Sequence, residues 1–299
     1  MKVVYLFPGQ GSQFSGMGRE LSSYSEDLRQ KFARADEIVG YSLTALMCNG
    51  TDMELKQTSV TQPAIYVHSV LLAQTMNISK DAAAIAGHSL GEISALAAIG
   101  SIDWEDGLRL VLARARAMQE ACDATPSAMA AIVGLEDAEV EHLCQKIGDV
   151  WPANYNSPNQ LVVSGSCKGI EKMAVAAKEA GAKIAQILPV NGAFHSPLME
   201  SARAKLAEAI NNTEIRPPVC SIYQNVSAEP TVDVGVIRER LIQQLTSPVY
   251  WTQIVRNLHQ DGFTHYIEIG PGKVLQGLVK RILRNVSVTG HQMIPPQLT

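Results

Sequence analysis

The chain has 299 residues, of which 46% are hydrophobic and 18% charged, and its formal net charge is -4 at pH 7. This composition predicts a folded chain with a large core and more than one folding unit, and the weak negative charge excludes a global basic surface for nucleic acid. Because no apolar run reaches the ~20 residues of a membrane-spanning helix, and the run at 3–7 is too short for a secretion signal, we expect a cytoplasmic protein with no membrane contact. The five cysteines are widely spaced without a C-x-x-C pair, which argues against a disulfide framework or a zinc site.

The first part of the chain alternates predicted strands and helices. Apolar runs at 3–7 and 82–86 indicate buried strands, and a glycine-bearing loop at 8–13 ends the first of them. Apolar residues at helical spacing predict three helices, at 26–38, 62–76 and 104–121.

The middle of the chain has a different order of elements. Strands are predicted at 129–133, 150–155, 161–164 and 183–188, and helices at 137–147 and 170–180. This βαββαβ order is that of a ferredoxin-like unit, so we expect a small domain over residues 126–189.

The remainder returns to alternating helices and strands. Helices are predicted at 199–210, 236–245, 252–260 and after 270–272, and strands at 219–223 and 264–269. Together with the first part, this order favours a largely parallel sheet covered by helices, interrupted by the βαββαβ unit, with an active site where the two meet. Residues 291–299 are expected to form a disordered tail.

The sequence G-H-S-L-G at 87–91 lies between a predicted strand and a predicted helix. In that setting G-x-S-x-G is typical of a nucleophile elbow, a tight turn that exposes the serine, here Ser89, at a helix N-terminus. The motif alone is equally compatible with five small residues that close an ordinary turn.

A serine nucleophile requires a base, and His195 is the candidate because it lies in a turn-rich loop that leads out of the βαββαβ unit. An ordinary loop histidine is the alternative. The glycines at 9–18 do not complete the dinucleotide fingerprint and those at 270–272 do not complete a P-loop, so no nucleotide cofactor is expected.

Five motifs extend the pattern over most of the chain: F-P-G-Q-G-S-Q at 7–13, G-H-S-L-G-E at 87–92, Arg114 with Met118, G-A-F-H-S at 192–196 and I-G-P-G at 269–272. In this order and spacing, the chain from 3 to 283 resembles the malonyl-CoA:acyl carrier protein transacylases. The resemblance implies an α/β-hydrolase-like domain with a mainly parallel sheet, at 1–125 and 190–290, and an inserted ferredoxin-like (βαββαβ) small domain.

The resemblance also implies roles for individual residues. Ser89 corresponds to the nucleophile and His195 to its base, and the main-chain N–H groups of Gln10 and Leu90 correspond to the oxyanion hole. Because the loop at 8–13 leaves a strand end, its amides are suited to that task.

Arg114 corresponds to the arginine that binds the malonyl carboxylate, and a guanidinium is suited to this because it pairs bidentately with a carboxylate. Considered on its own, a solvated helix arginine is the alternative. Phe194 resembles the form of the family that accepts malonyl groups rather than α-branched ones. The carbonyl that orients the histidine falls on Tyr250, where the family pattern has glutamine.

The implied reaction is ping-pong transfer of a malonyl group from malonyl-CoA, through malonyl-Ser89, to the phosphopantetheine thiol of an acyl carrier protein, by a monomer with no bound cofactor. Segments at 40–43 and 57–64 favour supply of a polyketide synthase that lacks its own acyltransferase domains over the alternative, housekeeping fatty-acid synthesis. An acyl hydrolase and a noncatalytic carrier-protein docking module are the competing functions.

Overall fold

The computed structural model describes residues 2–190 and 192–295. Its strands are β1 (Val3–Phe7), β2 (Ala82–Gly87), β3 (Ser127–Val133), β4 (Val150–Ser157), β5 (Gln160–Ser166), β6 (Ile184–Ile187), β7 (Ser221–Tyr223), β8 (Pro230–Thr231), β9 (His265–Ile269) and β10 (Ser287–His291). Its α-helices are α1 (Arg19–Ser23), α2 (Glu26–Val39), α3 (Leu43–Asn49), α4 (Asp52–Leu55), α5 (Thr58–Thr75), α6 (Gly91–Ala98), α7 (Trp104–Ala124), α8 (Asp137–Ile147), α9 (Cys167–Glu179), α10 (Glu200–Asn212), α11 (Val234–Gln243), α12 (Trp251–Gln260) and α13 (Val274–Ile282).

The larger sheet has six strands in the order β10-β9-β1-β2-β7-β8. Its pairs are parallel except for the short edge strand β8, which runs antiparallel to β7. The central strands are largely buried, as expected for a parallel sheet that has helices on both faces. The sequence predicted this mixed α/β fold with a mainly parallel sheet, and the prediction is confirmed.

The smaller sheet has four antiparallel strands in the order β4-β5-β3-β6. With α8 and α9, its chain order is βαββαβ, as predicted. The two helices cover one face and enclose a separate hydrophobic cluster that includes Ile132, Val163 and Met173. One face of the smaller sheet therefore has its own core, while Met129 and Val162 on the other face pack into the main core of the larger unit.

Helices α5 and α6 are the interior helices of the larger unit, because residues 60–73 of α5 and all residues of α6 are buried. In the described part of the chain, no helix is long and apolar enough to span a bilayer.

Two segments differ from the expectations. The chain between 19 and 55 contains the short helices α1, α3 and α4, which lack the length to produce a clear helical period. Strand β10 was not predicted, because its sequence S-V-T-G-H is half polar and becomes a strand only by pairing with β9. It ends at His291, the first residue assigned to the tail, and 296–299 of that tail lie outside the described residues.

The functional residues lie where the carboxyl ends of β1 and β2 meet. Phe7 and Gly87 are paired in register, and the His88 N–H donates to the Phe7 carbonyl at 2.9 Å. The smaller sheet approaches the same edge, since the Ser164 hydroxyl on β5 donates to the Phe194 carbonyl at 2.5 Å. The loops that leave the two central strands therefore lie between the sheets, a common location for ligand sites in α/β proteins.

Candidate active site

Ser89 lies on a tight turn between β2 and α6 with φ +54°. A Cβ on Gly87 would lie 1.9 Å from the Gly91 carbonyl carbon, and a Cβ on Gly91 would lie 2.1 Å from the Phe7 carbonyl oxygen. Any larger residue at either position would force the turn apart. The two glycines of the motif are therefore required by the geometry of an elbow, and the alternative of an ordinary turn is excluded.

Ser89 and His195 form a hydrogen-bonded pair. The Ser89 Oγ lies 2.8 Å from His195 Nε2, and His195 Nδ1 lies 2.9 Å from the Gln244 carbonyl oxygen. Because a carbonyl can only accept, we assign the proton to Nδ1, which leaves Nε2 free to accept from the serine. His195 is 4% exposed, so it is not a surface loop histidine.

The electrostatics of the pair keep the histidine neutral. Burial, and secondly the positive charge of Arg114, lower the pKa of His195 to about 3. A neutral imidazole at pH 7 is the form that a general base requires.

The prediction that the Tyr250 carbonyl orients His195 is wrong. Helix α12 begins at Trp251, and the Tyr250 carbonyl accepts from the Ile254 N–H at 2.9 Å as part of the first helical turn. The Gln244 carbonyl begins a short 3-10 turn after α11, where it also accepts from the Ser247 N–H at the longer distance of 3.4 Å. The carbonyl that contacts His195 thus belongs to Gln244, six residues upstream of Tyr250.

Arg114 extends from α7 into the site and is 2% exposed, which excludes a solvated helix arginine. Its Nη2 donates to Ser89 Oγ at 2.9 Å and to Gln244 Oε1 at 3.2 Å, and its Nη1 donates to Gln62 Oε1 at 2.7 Å. Burial lowers the pKa of Arg114 to about 10, which leaves it positive at pH 7. A permanent cation thus contacts the proposed nucleophile.

A cavity of about 210 Å³ opens onto Ser89. Gln10 and Leu90 both line it, and neither of their main-chain N–H groups has a hydrogen-bond partner within residues 2–190 and 192–295. Unpaired amides beside a serine are the donors that an oxyanion requires. These two unpaired amides support the predicted role, which stays a prediction.

Phe194 and His88 complete the wall of the cavity. Phe194 is 7% exposed. The His88 ring packs against Trp251 with centroids 5.5 Å apart, and its Nε2 lies 2.8 Å from Asn156 Oδ1. His88 therefore has the packing role that its position beside the serine suggests, and it also faces the substrate cavity.

Four polar residues of the site were given no role from the sequence: Gln62, Glu92, Asn225 and Gln244. Glu92 lies within the motif at 87–92, and Gln62 lies at the start of the helix predicted at 62–76 and within the segment at 57–64. Asn225 lies in none of the motifs identified in the sequence. The contacts of Gln244 join parts of the chain far apart in sequence, so no local pattern could have indicated them.

Comparison with known proteins agrees with this geometry. The family model described as an acyl transferase domain matches residues 4–298. Together, the fold, the serine–histidine pair and this match define an acyltransferase.

The named relatives narrow the class. The chain is 41% identical over 303 residues to the malonyl CoA-acyl carrier protein transacylase of Bacillus subtilis, covering 98% of this chain and 95% of the relative. An acyl carrier protein S-malonyltransferase of Vibrio cholerae has TM-score 0.93 and 40% identity, covering 98% of each chain. A malonyl-transacylase in complex with its type II PKS acyl-carrier protein has TM-score 0.94 and 37% identity, covering 100% of this chain and 98% of that one. The chain belongs to the malonyl CoA-acyl carrier protein transacylase family, as its motifs predicted.

Proposed function

We propose that this chain transfers a malonyl group from malonyl-CoA to the phosphopantetheine thiol of an acyl carrier protein, through malonyl-Ser89. The observation that carries the proposal is the pair of contacts at one atom: Ser89 Oγ lies 2.8 Å from His195 Nε2 and 2.9 Å from Arg114 Nη2. A base and a carboxylate-binding cation therefore lie on two sides of the same hydroxyl.

In the first half-reaction, His195 accepts the Ser89 proton through Nε2 as the hydroxyl oxygen attacks the thioester carbonyl. The N–H groups of Gln10 and Leu90 stabilise the oxyanion, a contribution worth ~3 kcal/mol for a single donor in such sites. The C–S bond then breaks, the protonated histidine gives its proton to the departing thiolate, and coenzyme A leaves.

In the second half-reaction, the carrier-protein thiol replaces coenzyme A and the same steps run in reverse. His195 removes the thiol proton, the thiolate attacks the malonyl ester, and Ser89 regains its proton from the histidine. These steps use side chains and amides of this chain alone, and malonyl-CoA enters as a substrate.

Arg114 favours this function over hydrolysis of neutral acyl groups. A buried guanidinium costs free energy unless its donors are used, and a carboxylate supplies a bidentate partner that a neutral acyl chain lacks. Phe194 would limit branching beside that carboxylate, because it forms part of the cavity wall.

For the pathway, the relatives reverse the preference for polyketide supply over fatty-acid synthesis that the segments at 40–43 and 57–64 indicated. Identity of 41% to the Bacillus subtilis enzyme over nearly the whole chain favours the housekeeping fatty-acid role over supply of a polyketide synthase. The carrier protein that accepts the malonyl group would then be that of fatty-acid synthesis.

For the domains, we infer an α/β-hydrolase-like unit at 1–125 and 190–290 and a ferredoxin-like unit at 126–189. The βαββαβ order and the strand order β4-β5-β3-β6 support the second assignment. We expect the protein to act as a monomer.

Intact-mass measurement after brief exposure to malonyl-CoA tests the proposal. We expect a malonyl adduct on the parent protein, none on Ser89→Ala, and loss of the parent adduct to holo carrier protein rather than to water. Absence of an adduct on the parent, or an adduct that persists on Ser89→Ala, would refute the assignment. Release to water at the rate seen with carrier protein would support the hydrolase.

A further inference from the structure

Glu92 is a buried carboxylate that the mechanism above does not use. It is the second residue of α6, it is 0% exposed, and burial raises its pKa to about 8. It is not among the residues that line the catalytic cavity. Placing a carboxyl group in a dry interior costs free energy, so its contacts should explain why it is there.

One oxygen of Glu92 fixes the elbow. Glu92 Oε1 accepts from the Asn225 main-chain N–H. The Asn225 side chain in turn accepts from the Ser89 N–H at 2.7 Å and donates to the Gly87 carbonyl at 2.6 Å. Asn225 thus bonds the turn at Gly87 and at Ser89, and Glu92 holds Asn225.

The other oxygen fixes Gln244. Glu92 Oε2 accepts from Gln244 Nε2 at 2.6 Å, and the same nitrogen donates to the Ser89 carbonyl at 3.0 Å. At the other end of the carboxamide, Gln244 Oε1 accepts from Arg114 Nη2.

These contacts make the orientation of one amide important. A carboxamide has two orientations of nearly the same shape, and its neighbours decide between them. Both Glu92 oxygens accept in these contacts and a guanidinium can only donate, so Glu92 and Arg114 select the same orientation from opposite ends. Reversing the amide would oppose oxygen to oxygen at Glu92 and donor to donor at Arg114.

We propose that Glu92 is a positioning residue for malonyl selectivity: through Gln244 it holds the Arg114 guanidinium where the malonyl carboxylate binds. The inference rests on the proposed role of Arg114. It extends that role to a residue that touches neither the substrate cavity nor the reacting atoms.

The test compares acylation of Ser89 by malonyl-CoA and by acetyl-CoA, whose acyl group has no carboxylate. Glu92→Gln keeps the shape but turns one acceptor into a donor, and it should lower kcat/KM for malonyl-CoA about tenfold more than kcat/KM for acetyl-CoA. Ser94→Ala is the matched control, since Ser94 is equally buried on α6 and its hydroxyl has no partner in the described part of the chain. It should leave the selectivity unchanged.

Gln244→Met gives a second route should Glu92→Gln not fold. It keeps the main-chain carbonyl that orients His195 but removes the carboxamide, so it should show the same loss of selectivity. Because Glu92 acts through Gln244, the double variant should lose no more selectivity than Gln244→Met alone.

Arg114→Ala distinguishes a failure of the proposed role of Arg114 from a failure of the proposed role of Glu92. If Arg114→Ala keeps its preference for malonyl-CoA, the proposed function of Arg114 fails. If Arg114→Ala loses that preference while Glu92→Gln and Gln244→Met, with native melting curves, keep it, the inference on Glu92 is overturned. Equal losses with both substrates in Glu92→Gln would also overturn it, because they would show a purely structural role.

Discussion

Replacing Gly91 with alanine tests whether the first loop supplies an oxyanion donor. The new Cβ would lie 2.1 Å from the Phe7 carbonyl oxygen, whereas real Cβ contacts are essentially never shorter than 3.0 Å. Either β1 or the start of α6 must therefore move by about 0.9 Å. The loop that carries Gln10 begins directly after Phe7, so the displacement would reach its N–H group.

The magnitude follows from two separate effects. Forcing a methyl group into this packed contact should cost about 1–3 kcal/mol of stability. Loss of one oxyanion donor costs ~3 kcal/mol in the transition state, which corresponds to a fall in kcat of about a hundredfold. We expect most of the loss in kcat rather than in KM, because the oxyanion exists only in the transition state.

The assay is steady-state transfer from malonyl-CoA to holo carrier protein, together with urea unfolding. Gly277→Ala is the control, since a Cβ at that position in α13 meets nothing within 4 Å. It should keep full activity and gain about 0.5–1 kcal/mol of stability, because alanine is favoured over glycine inside a helix. A folded Gly91→Ala protein with a kcat within about twofold of the parent would refute the role assigned to the loop.

Three further predictions follow from charge and burial. Because the pKa of His195 is lowered to about 3, kcat/KM should begin to fall with acid only well below pH 6.5. Arg114→Ala should move this acid limb to higher pH, because it removes a positive charge that repels the histidine proton. A limb near pH 6.5 in the parent enzyme would contradict this. Asn225→Ala removes both side-chain bonds to the elbow and should cost about 1–3 kcal/mol in urea unfolding, with a fall in kcat; unchanged stability would count against these bonds. Burial lowers the pKa of His68 from 6.5 to about 4, so between these pH values only the unfolded state gains a proton at this residue. The free energy of unfolding should therefore fall by about 3 kcal/mol as the pH falls through this window. His68→Leu should flatten the pH dependence of the free energy of unfolding, measured with urea between pH 7 and 4.

The sequence predicted the elements whose pattern is local. Helices expected at 26–38 and 104–121 occur at Glu26–Val39 and Trp104–Ala124, because their apolar residues repeat at the helical period. The elbow was visible for a similar reason, since two glycines and a serine within five residues are sufficient to specify a tight turn. The short helices were missed because they are too short to show a helical period, and the edge strand β10 was missed because it forms only by pairing with β9.

The residues of the site also divide into those that a local sequence pattern indicates and those that it does not. Side chains that face the cavity lie in motifs, so Ser89, His195 and Arg114 could be named in advance. The groups that hold these side chains in place are main-chain atoms and side chains far apart in the sequence, so the sequence alone indicates few of them. The error at Tyr250 illustrates this, because any residue type can supply a main-chain carbonyl. Only the structure shows that the Tyr250 carbonyl accepts a hydrogen bond in the first turn of helix α12.

Both residues of the serine–histidine pair have a left-handed backbone conformation, with φ +54° at Ser89 and +60° at His195. For residues with a Cβ this conformation costs roughly 1 kcal/mol each, and the surrounding contacts must impose it. Glycine at either position would remove this crowding while it ended the reaction.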